Sequence, residues 1–412
     1  MQRATISTVA SFFALALVAC NDTAPPSSPN RPPPAARATL ADGDDVQLDV
    51  PLAGLTAAEL DRFNRGRAVF SRVFTDAQGL GPSFNSNACA SCHEEPSVGG
   101  TGDDLDEDVE THVGRLSGTT CDDLAPFGGG VIQHHTTQLL QTAYPGYTTE
   151  PTPTELGTVV GLRSTPALFG FGLLEAIPAS TIQALADPTD ANGDGVRGRP
   201  SLANGKLLRF GRKATDETLL GFNAGAFQNE MGITSSVALA EQLLVGVDFP
   251  FSSAISPIKG AELSDQDLAL ATDFVRFLRP PPQAPRTAEA NDGQELFASV
   301  GCATCHVPSL QTGRSPIKAL DRVTVAAFTD LLLHDMGAGL ADICRGKTLP
   351  SEFRTEPLMG LRFRNHFLHD ARAETLDDAV LLHGGEATRA RDRFAGLKAN
   401  QRAALIAYLN TL

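Results

Sequence analysis

Apolar residues recur at helical spacing near residue 60. A Thr56/Glu59 pair forms a capping box at the start of this predicted helix. One face of the helix carries four large apolar side chains: Leu60, Phe63, Phe70 and Phe74. The sequence therefore predicts an amphipathic helix whose apolar face carries these four residues.

Two later segments have the same character and close each half of the chain. Residues 264–279 begin with Ser264 and Asp267, the pattern of a helix start, and stop at a run of prolines from Pro280. Residues 400–412 repeat this helical pattern at the end of the sequence. Strand-and-hairpin alternation does not stand out, so the predicted fold class is mainly α.

The chain has 412 residues, which is long for a single core, and we expect two domains. The proline-rich stretch 280–285 is the natural boundary. We therefore predict an N-terminal domain over residues 51–282, with long insertions, and a C-terminal domain over residues 283–412.

The first 20 residues predict export. The apolar run Val9–Val18 is too short to span a bilayer, and it leads into Leu17-Val18-Ala19-Cys20, which resembles a bacterial lipobox. In that interpretation residues 1–20 are a signal peptide that ends at lipidated Cys20. The alternative is an ordinary secretory signal with a coincidental cysteine. The proline-rich stretch within residues 21–50 predicts an extended tether, so the lipid is the only expected membrane attachment and the protein faces the periplasm.

Composition limits the partners. A net charge of −15 argues against nucleic-acid binding, which requires clustered Lys and Arg. It is compatible with a small-molecule substrate and with protein partners that carry a basic patch.

Six cysteines lie beyond Cys20, and four of them form two C-x-x-C-H motifs. The motif residues are Cys89, Cys92 and His93, then Cys302, Cys305 and His306. This is the attachment pattern of c-type haem, in which two thiols bond to the porphyrin and the histidine binds iron. A zinc ribbon would need the two C-x-x-C pairs at short range, and a thioredoxin site would need a βαβ context. The remaining pair, Cys121 and Cys344, is free to form a disulfide, although the sequence does not show their separation.

The flanking segments point to a family. The stretches 66–93, 160–178, 328–342 and 366–386, together with both closing helices, resemble the di-haem oxidoreductase family, whose members are also called peroxidases or thiol oxidoreductases. These are distant relatives of bacterial di-haem cytochrome c peroxidases. The resemblance implies two cytochrome c-like domains packed together, two covalent haem c groups, and an electron donor such as a cytochrome or a cupredoxin.

For the second haem, the expected sixth ligand is His383. It ends an apolar stripe on a short helix that starts at Thr375 and Asp378, and the resemblance places a ligand in this region. Met336 and Met359 are rival ligands, and a purely structural His383 is the other alternative.

For the first haem, we expect an open distal side. His112, His134 and His135 are each better explained as surface residues than as ligands, and Met231 as a core residue. Glu175 lies in an apolar run that the resemblance aligns with the approach to a catalytic glutamate, so it is the candidate acid/base. The alternative is a structural Glu175 that pairs with Arg163 or caps a helix end.

Asp190, Asn192 and Asp194 alternate ahead of Gly195, like the first half of an EF-hand loop. Ser201 stands where an EF-hand has glutamate, so a calcium site here needs an oxygen from elsewhere in the chain. An Asp- and Gly-rich turn is the alternative.

Together these features predict a di-haem oxidoreductase that reduces peroxide or a similar small oxidant at the first haem, with electrons delivered through the second. The alternatives are a non-catalytic electron-transfer cytochrome and an accessory subunit of a cell-envelope system such as iron uptake.

Overall fold

The computed structural model describes residues 47–102, 104–105, 108–118, 120–122, 124, 130–150, 159–241 and 255–412. The predicted signal peptide, Cys20 and the tether up to residue 46 lie outside the described residues. The last predicted tether residues belong to the folded part: Leu48 is buried, and the carbonyl of Val50 accepts the N–H of Arg279 at 3.0 Å.

Helices outweigh strands, which confirms the mainly α class. The helices are α1 (Ala57–Phe70), α2 (Cys89–Cys92), α3 (Gln138–Ala143), α4 (Phe171–Glu175), α5 (Ala179–Gln183), α6 (Leu219–Met231), α7 (Asp265–Phe277), α8 (Ala288–Val300), α9 (Leu376–Leu382), α10 (Thr388–Ala395) and α11 (Ala399–Leu409). Within the described ranges, no helix has the length and apolar character needed to cross a membrane.

The strands are short, with one exception. They are β1 (Ser83–Phe84), β2 (Val109–Ser117), β3 (Thr120–Asp122), β4 (Val131–Ile132), β5 (His135–Thr136), β6 (Val159–Ser164), β7 (Ser201–Ala203), β8 (Lys206–Leu208), β9 (Leu310–Gln311), β10 (Thr324–Val325), β11 (Leu333–Asp335) and β12 (Glu352–Arg354). Strand β2 pairs antiparallel with β3, β4 and β6 in a four-stranded sheet that the helical interpretation does not predict.

The first predicted helix is confirmed as α1, and its capping box is present. The Thr56 side chain accepts the N–H of Glu59, and the Glu59 carboxylate accepts the N–H of Thr56. Phe63 and Phe70 are buried on α1, and Phe74 is buried as well, although it lies beyond the end of the helix and not on its face. The prediction that Leu60 shares this buried face is wrong, because its side chain is 41 % exposed.

The two closing helices pack in the same way on the helices that precede the motifs. Helix α7 lies against α1, where a Cβ atom on Gly66 would overlap the carbonyl oxygen of Leu270. Helix α11 lies against α8, where a Cβ atom on Gly293 would overlap the carbonyl oxygen of Ala404. Only glycine allows such backbone contact, so the repeat seen in the sequence is also a repeat of packing.

The largest apolar core contains residues from both sides of position 282, including Phe70, Phe274, Leu331 and Phe363. A second core joins α1, α6 and α7, and a third joins α8 and α11. The described residues belong to one compact unit, and the division at 282/283 stays a prediction.

Cys121 and Cys344, whose pairing the sequence leaves open, form a disulfide. It links β3 of the four-stranded sheet to the segment before β12, across 223 positions of sequence. The bond therefore connects the predicted N-terminal and C-terminal domains covalently.

Candidate functional site

The second C-x-x-C-H motif directly follows α8. The helix ends at Gly301, whose φ of 106° turns the chain into a short 3-10 turn over Cys302–Thr304. The Nδ1 atom of His306 lies 3.0 Å from the carbonyl oxygen of Phe328. A carbonyl only accepts hydrogen bonds, so Nδ1 carries the proton and the Nε2 lone pair is available for a metal.

A cavity of about 300 Å³ opens beside this motif. Its wall includes both thiols, His306 and His383. Most of the remaining surface is apolar, from residues such as Leu361, Phe367, Leu376 and Val380. Two thiols, an oriented imidazole and apolar walls are what a covalently attached haem requires, so the residues present are suited to this group.

His383 faces the same cavity as His306. It follows the last residue of α9, whose first turn is capped by the Thr375 side chain at 3.1 Å from the Asp378 nitrogen. The Nδ1 atom of His383 lies 2.7 Å from the Ala379 carbonyl oxygen, which again leaves Nε2 as the free atom. Burial lowers the pKa of His383, and burial together with the field of His383 lowers the pKa of His306 to about 4.

The rival methionines differ in position. Met336 lines the cavity with His383. Met359 instead lines a separate cavity and packs near Gly170. Of the two, only Met336 is placed to compete with His383.

The first motif forms the short helix α2 and ends at His93. The Nδ1 atom of His93 lies 3.0 Å from the Gly100 carbonyl oxygen. This is the same contact that Nδ1 of His306 makes with the Phe328 carbonyl oxygen. The Phe70 ring packs 5.9 Å from the imidazole, and burial lowers the pKa of His93. Both motif histidines therefore present Nε2 as the ligand atom.

Buried polar residues lie near the first motif, and no motif in the sequence predicts the group they form. The Nε2 atom of His112 is 2.8 Å from Oε2 of Glu110, and Asn85 donates to Oε2 of Glu230 at 3.0 Å. Glu110 and Glu230 are themselves hydrogen-bonded, and the charges of both act on Cys92. Burial, and then the charge of Glu110, raises the pKa of Glu230 well above its usual range. Of the two carboxyl groups, Glu230 is therefore the one that keeps its proton more readily.

The other expected ligand candidates have ordinary positions. The surface position predicted for His112 is wrong, because the residue is buried, with 8 % exposure. Met231 is buried in the core around α6, as expected. His134 contacts the Thr111 hydroxyl at 3.3 Å, and His135 is exposed on β5. Burial, followed by the charge of Arg163, lowers the pKa of His112 to about 4.

Glu175 is the last residue of α4, and both of its carboxylate oxygens have partners. Oε2 accepts from Nε of Arg276 at 2.9 Å, and Oε1 accepts the N–H of Leu219 at the start of α6, at 2.8 Å. Arg163, the partner expected for a structural Glu175, pairs with Asp342 instead, at 3.0 Å. These contacts are those of a carboxylate that holds two helices together.

The predicted calcium residues occupy one turn, in which Asn192 is exposed and Asp190 and Asp194 are half-buried. Asp190, Asn192 and Asp194 accept the N–H groups of Gly195, Asp194 and Val196 respectively, at 2.9–3.0 Å. Arg389 donates to the Asp194 carbonyl oxygen. These hydrogen bonds are those of an Asp- and Gly-rich turn, and the calcium site stays a prediction.

Comparison with known proteins identifies the family. Residues 154–412 match the model of the family described as "Di-haem oxidoreductase, putative peroxidase". The chain belongs to the di-haem oxidoreductase family. The matched segment contains Cys302–His306, His383 and Glu175, and the first C-x-x-C-H motif precedes it. A di-haem family implies two haems, and the chain offers one motif for each.

Three solved structures contain chains that are similar to this one. Hydrazine synthase from Kuenenia stuttgartiensis is 14 % identical, with 95 % of this chain and 98 % of that chain covered and a TM-score of 0.40. A MauG-like protein associated with microbial copper homeostasis is 14 % identical, with 89 % and 94 % covered and a TM-score of 0.39. A variant of the diheme peroxidase BthA from Burkholderia thailandensis is 14 % identical, with 85 % of each chain covered and a TM-score of 0.37. No curated protein matches the chain.

Proposed function

We propose that this member of the di-haem oxidoreductase family is a peroxidase-like enzyme built from two cytochrome c-like domains. In this proposal a small oxidant, hydrogen peroxide first among them, is reduced at the His93 site with electrons that enter at the His306 site. The observation that supports it is that His306 shares its cavity with a second imidazole, His383, whereas the first motif has the buried carboxyl pair Glu110 and Glu230 acting on Cys92.

The ligands follow from that asymmetry. Cys302, Cys305 and His306 would hold one haem and His383 would complete its iron, which suits electron transfer. Cys89, Cys92 and His93 would hold the other haem, which would be the one that reacts with the substrate. Bound haem supplies the redox chemistry, and the protein must supply the protons.

Reduction of hydrogen peroxide to two waters consumes two electrons and two protons, so the His93 site needs a proton donor. The Glu110–Glu230 pair is the better placed source, because the raised pKa of Glu230 favours its protonated form and the charges of both carboxyls act on Cys92. Glu175, the sequence-based candidate, would first have to leave Arg276 and the N–H of Leu219. We therefore assign the proton supply to the pair and keep Glu175 as the variant to compare.

Electron paramagnetic resonance of the purified holoprotein tests the asymmetry. We expect one high-spin and one low-spin haem, and turnover of hydrogen peroxide with a reduced small cytochrome or cupredoxin. Two low-spin haems in both the oxidised and the half-reduced protein, with no turnover, would leave the electron-transfer cytochrome as the better function. Stable co-purification with a cell-envelope partner, again without turnover, would favour the accessory subunit.

A set of three variants tests the proton donor. Glu230→Gln should lower peroxide turnover by about 10²- to 10⁴-fold, the usual contribution of a general acid/base. Exposed Glu295 is the matched control, and Glu295→Gln should leave turnover unchanged. If Glu175→Gln abolishes turnover while Glu230→Gln does not, the roles assigned here are reversed.

The location is also part of the proposal: a lipid at Cys20 would hold the folded part at the periplasmic face of a cell-envelope membrane. Replacement of Cys20 by Ala should move the haem-stained protein from the membrane fraction to the soluble periplasmic fraction. Unchanged membrane association would contradict the lipid anchor.

A further inference from the structure

One wall of the cavity at the second motif carries an excess of positive charge. Glu356 is contacted by three arginines: its Oε2 is 2.9 Å from Nη2 of Arg354 and 4.0 Å from Nη1 of Arg212, and its Oε1 is 3.5 Å from Nη2 of Arg364. All four residues line the cavity together with His306 and Cys302.

The chain holds these arginines in place through backbone carbonyls. Arg354 ends β12, and its Nε donates to the Gly211 carbonyl at 3.0 Å. Arg212 donates to the Ser164 carbonyl at 2.7 Å. Arg364, just after the 3-10 helix Leu361–Phe363, donates to the Pro357 carbonyl at 3.4 Å. These contacts fix the guanidinium groups without adding any negative charge.

Three positive charges and one negative charge leave a surplus of two in a place with little access to water. The side chains are 4–20 % exposed, and Nε of Arg364 is buried without a partner. Asp330 also acts on Arg354, but its carboxylate lies 2.9 Å from Nε2 of His334, which in turn contacts Glu386. Unbalanced buried charge is costly, so the wall is organised for an anionic group that enters the cavity.

We propose that Arg354, Arg364 and Arg212 bind the two propionate groups of the haem attached at Cys302 and Cys305. Two propionates carry two negative charges, which would bring the sum over the three arginines and Glu356 to zero. Guanidinium groups bind carboxylates in planar, two-pronged contacts. The inference rests on the haem assignment in the proposed function and is independent of the substrate.

The test measures the haem itself rather than enzyme turnover. In the purified holoprotein, Arg364→Gln and Arg354→Gln should each lower the reduction potential of the second haem, because loss of a nearby positive charge stabilises the oxidised iron relative to the reduced iron. Glu356→Gln should raise that potential. The propionate bending bands in resonance Raman spectra should shift in both arginine variants. Arg322→Gln removes a positive charge at an exposed ion pair with Asp321 and should change neither quantity.

Arg364→Lys keeps the charge and loses the planar contact, so it should shift the propionate bands while the potential stays near that of the unmodified protein. Covalent haem content, measured as the pyridine haemochrome, confirms that each variant retains both haems. Variants with both haems attached but with unchanged propionate bands, and with potentials that move no more than in Arg322→Gln, would overturn the inference. Failure to detect peroxide turnover would affect the proposed function and leave this result intact.

Discussion

Gly66 and the carbonyl oxygen of Leu270 are in direct contact, so that helices α1 and α7 touch backbone to backbone. Gly293 and Ala404 make the same contact between α8 and α11. A methyl group at either glycine would push the helices apart, and each helix pair brackets a C-x-x-C-H motif.

We therefore expect Gly66→Ala and Gly293→Ala each to lower the free energy of unfolding by about 1–3 kcal/mol, the usual cost of overpacking. Urea denaturation of the holoprotein, followed by circular dichroism, measures this change. Gly225 is also inside a helix, and a methyl group there would come no closer than 3.8 Å to another atom, so Gly225→Ala is the matched control. Equal stability of all three variants would show that the helices separate at no cost.

The disulfide should contribute strongly to stability because it joins residues that are 223 positions apart. Replacing Cys121 and Cys344 together by Ala should cost about 2–5 kcal/mol. Denaturation midpoints of the unmodified protein, with and without a reductant that leaves thioether bonds intact, provide the check. If the reductant lowers the denaturation midpoint of the double variant as much as that of the unmodified protein, its effect does not come from this disulfide.

Acid should destabilise the protein through His112. Its pKa is about 4 in the folded state, lowered by burial, against about 6.5 in an unfolded chain. The unfolded state therefore binds the proton first as pH falls, and stability that is fully present above pH 6.5 is lost progressively down to pH 4, by up to about 3 kcal/mol. His112→Gln should flatten this part of the pH profile in urea titrations, whereas replacement of the exposed His135 by Gln should not. Parallel profiles for His112→Gln and the unmodified protein would contradict this assignment.

His383→Gly should convert the second haem from low spin to high spin, because it removes the proposed sixth ligand. Added imidazole should restore the low-spin spectrum by filling the space. Met336→Ala tests the rival ligand in the same cavity and should leave the spin state unchanged. If Met336→Ala becomes high spin while His383→Gly stays low spin, the sixth ligand is Met336.

Local signals in the sequence predict the parts of the fold that depend on neighbouring residues. The capping box at Thr56, the helix start at Ser264 and the loops after Cys89 and Cys302 all rest on contacts a few residues apart. The apolar pattern misplaces Leu60 because it shows which face of a helix is apolar, but not how much of that face the neighbouring elements cover.

The remaining features depend on distant partners. Glu110 and Glu230 meet although they are far apart in the sequence, and neither has a motif around it. Strand β2 lies in a segment whose pairing strands β4 and β6 come from separate stretches. One further repeat is visible in the sequence. Arg163 and Arg354 each stand three residues before a proline. Each is followed a few residues later by a glycine with positive φ, Gly170 and Gly360 respectively.

The disulfide also has a consequence for how the protein is made. Cys121 and Cys344 must be oxidised, whereas Cys89, Cys92, Cys302 and Cys305 must stay reduced until haem is attached. Both reactions take place on one chain, and a premature disulfide within either C-x-x-C pair would block haem attachment. Maturation is therefore a competition between thiol oxidation and thioether formation, and the yield of holoprotein should depend on the order in which the cell carries out the two.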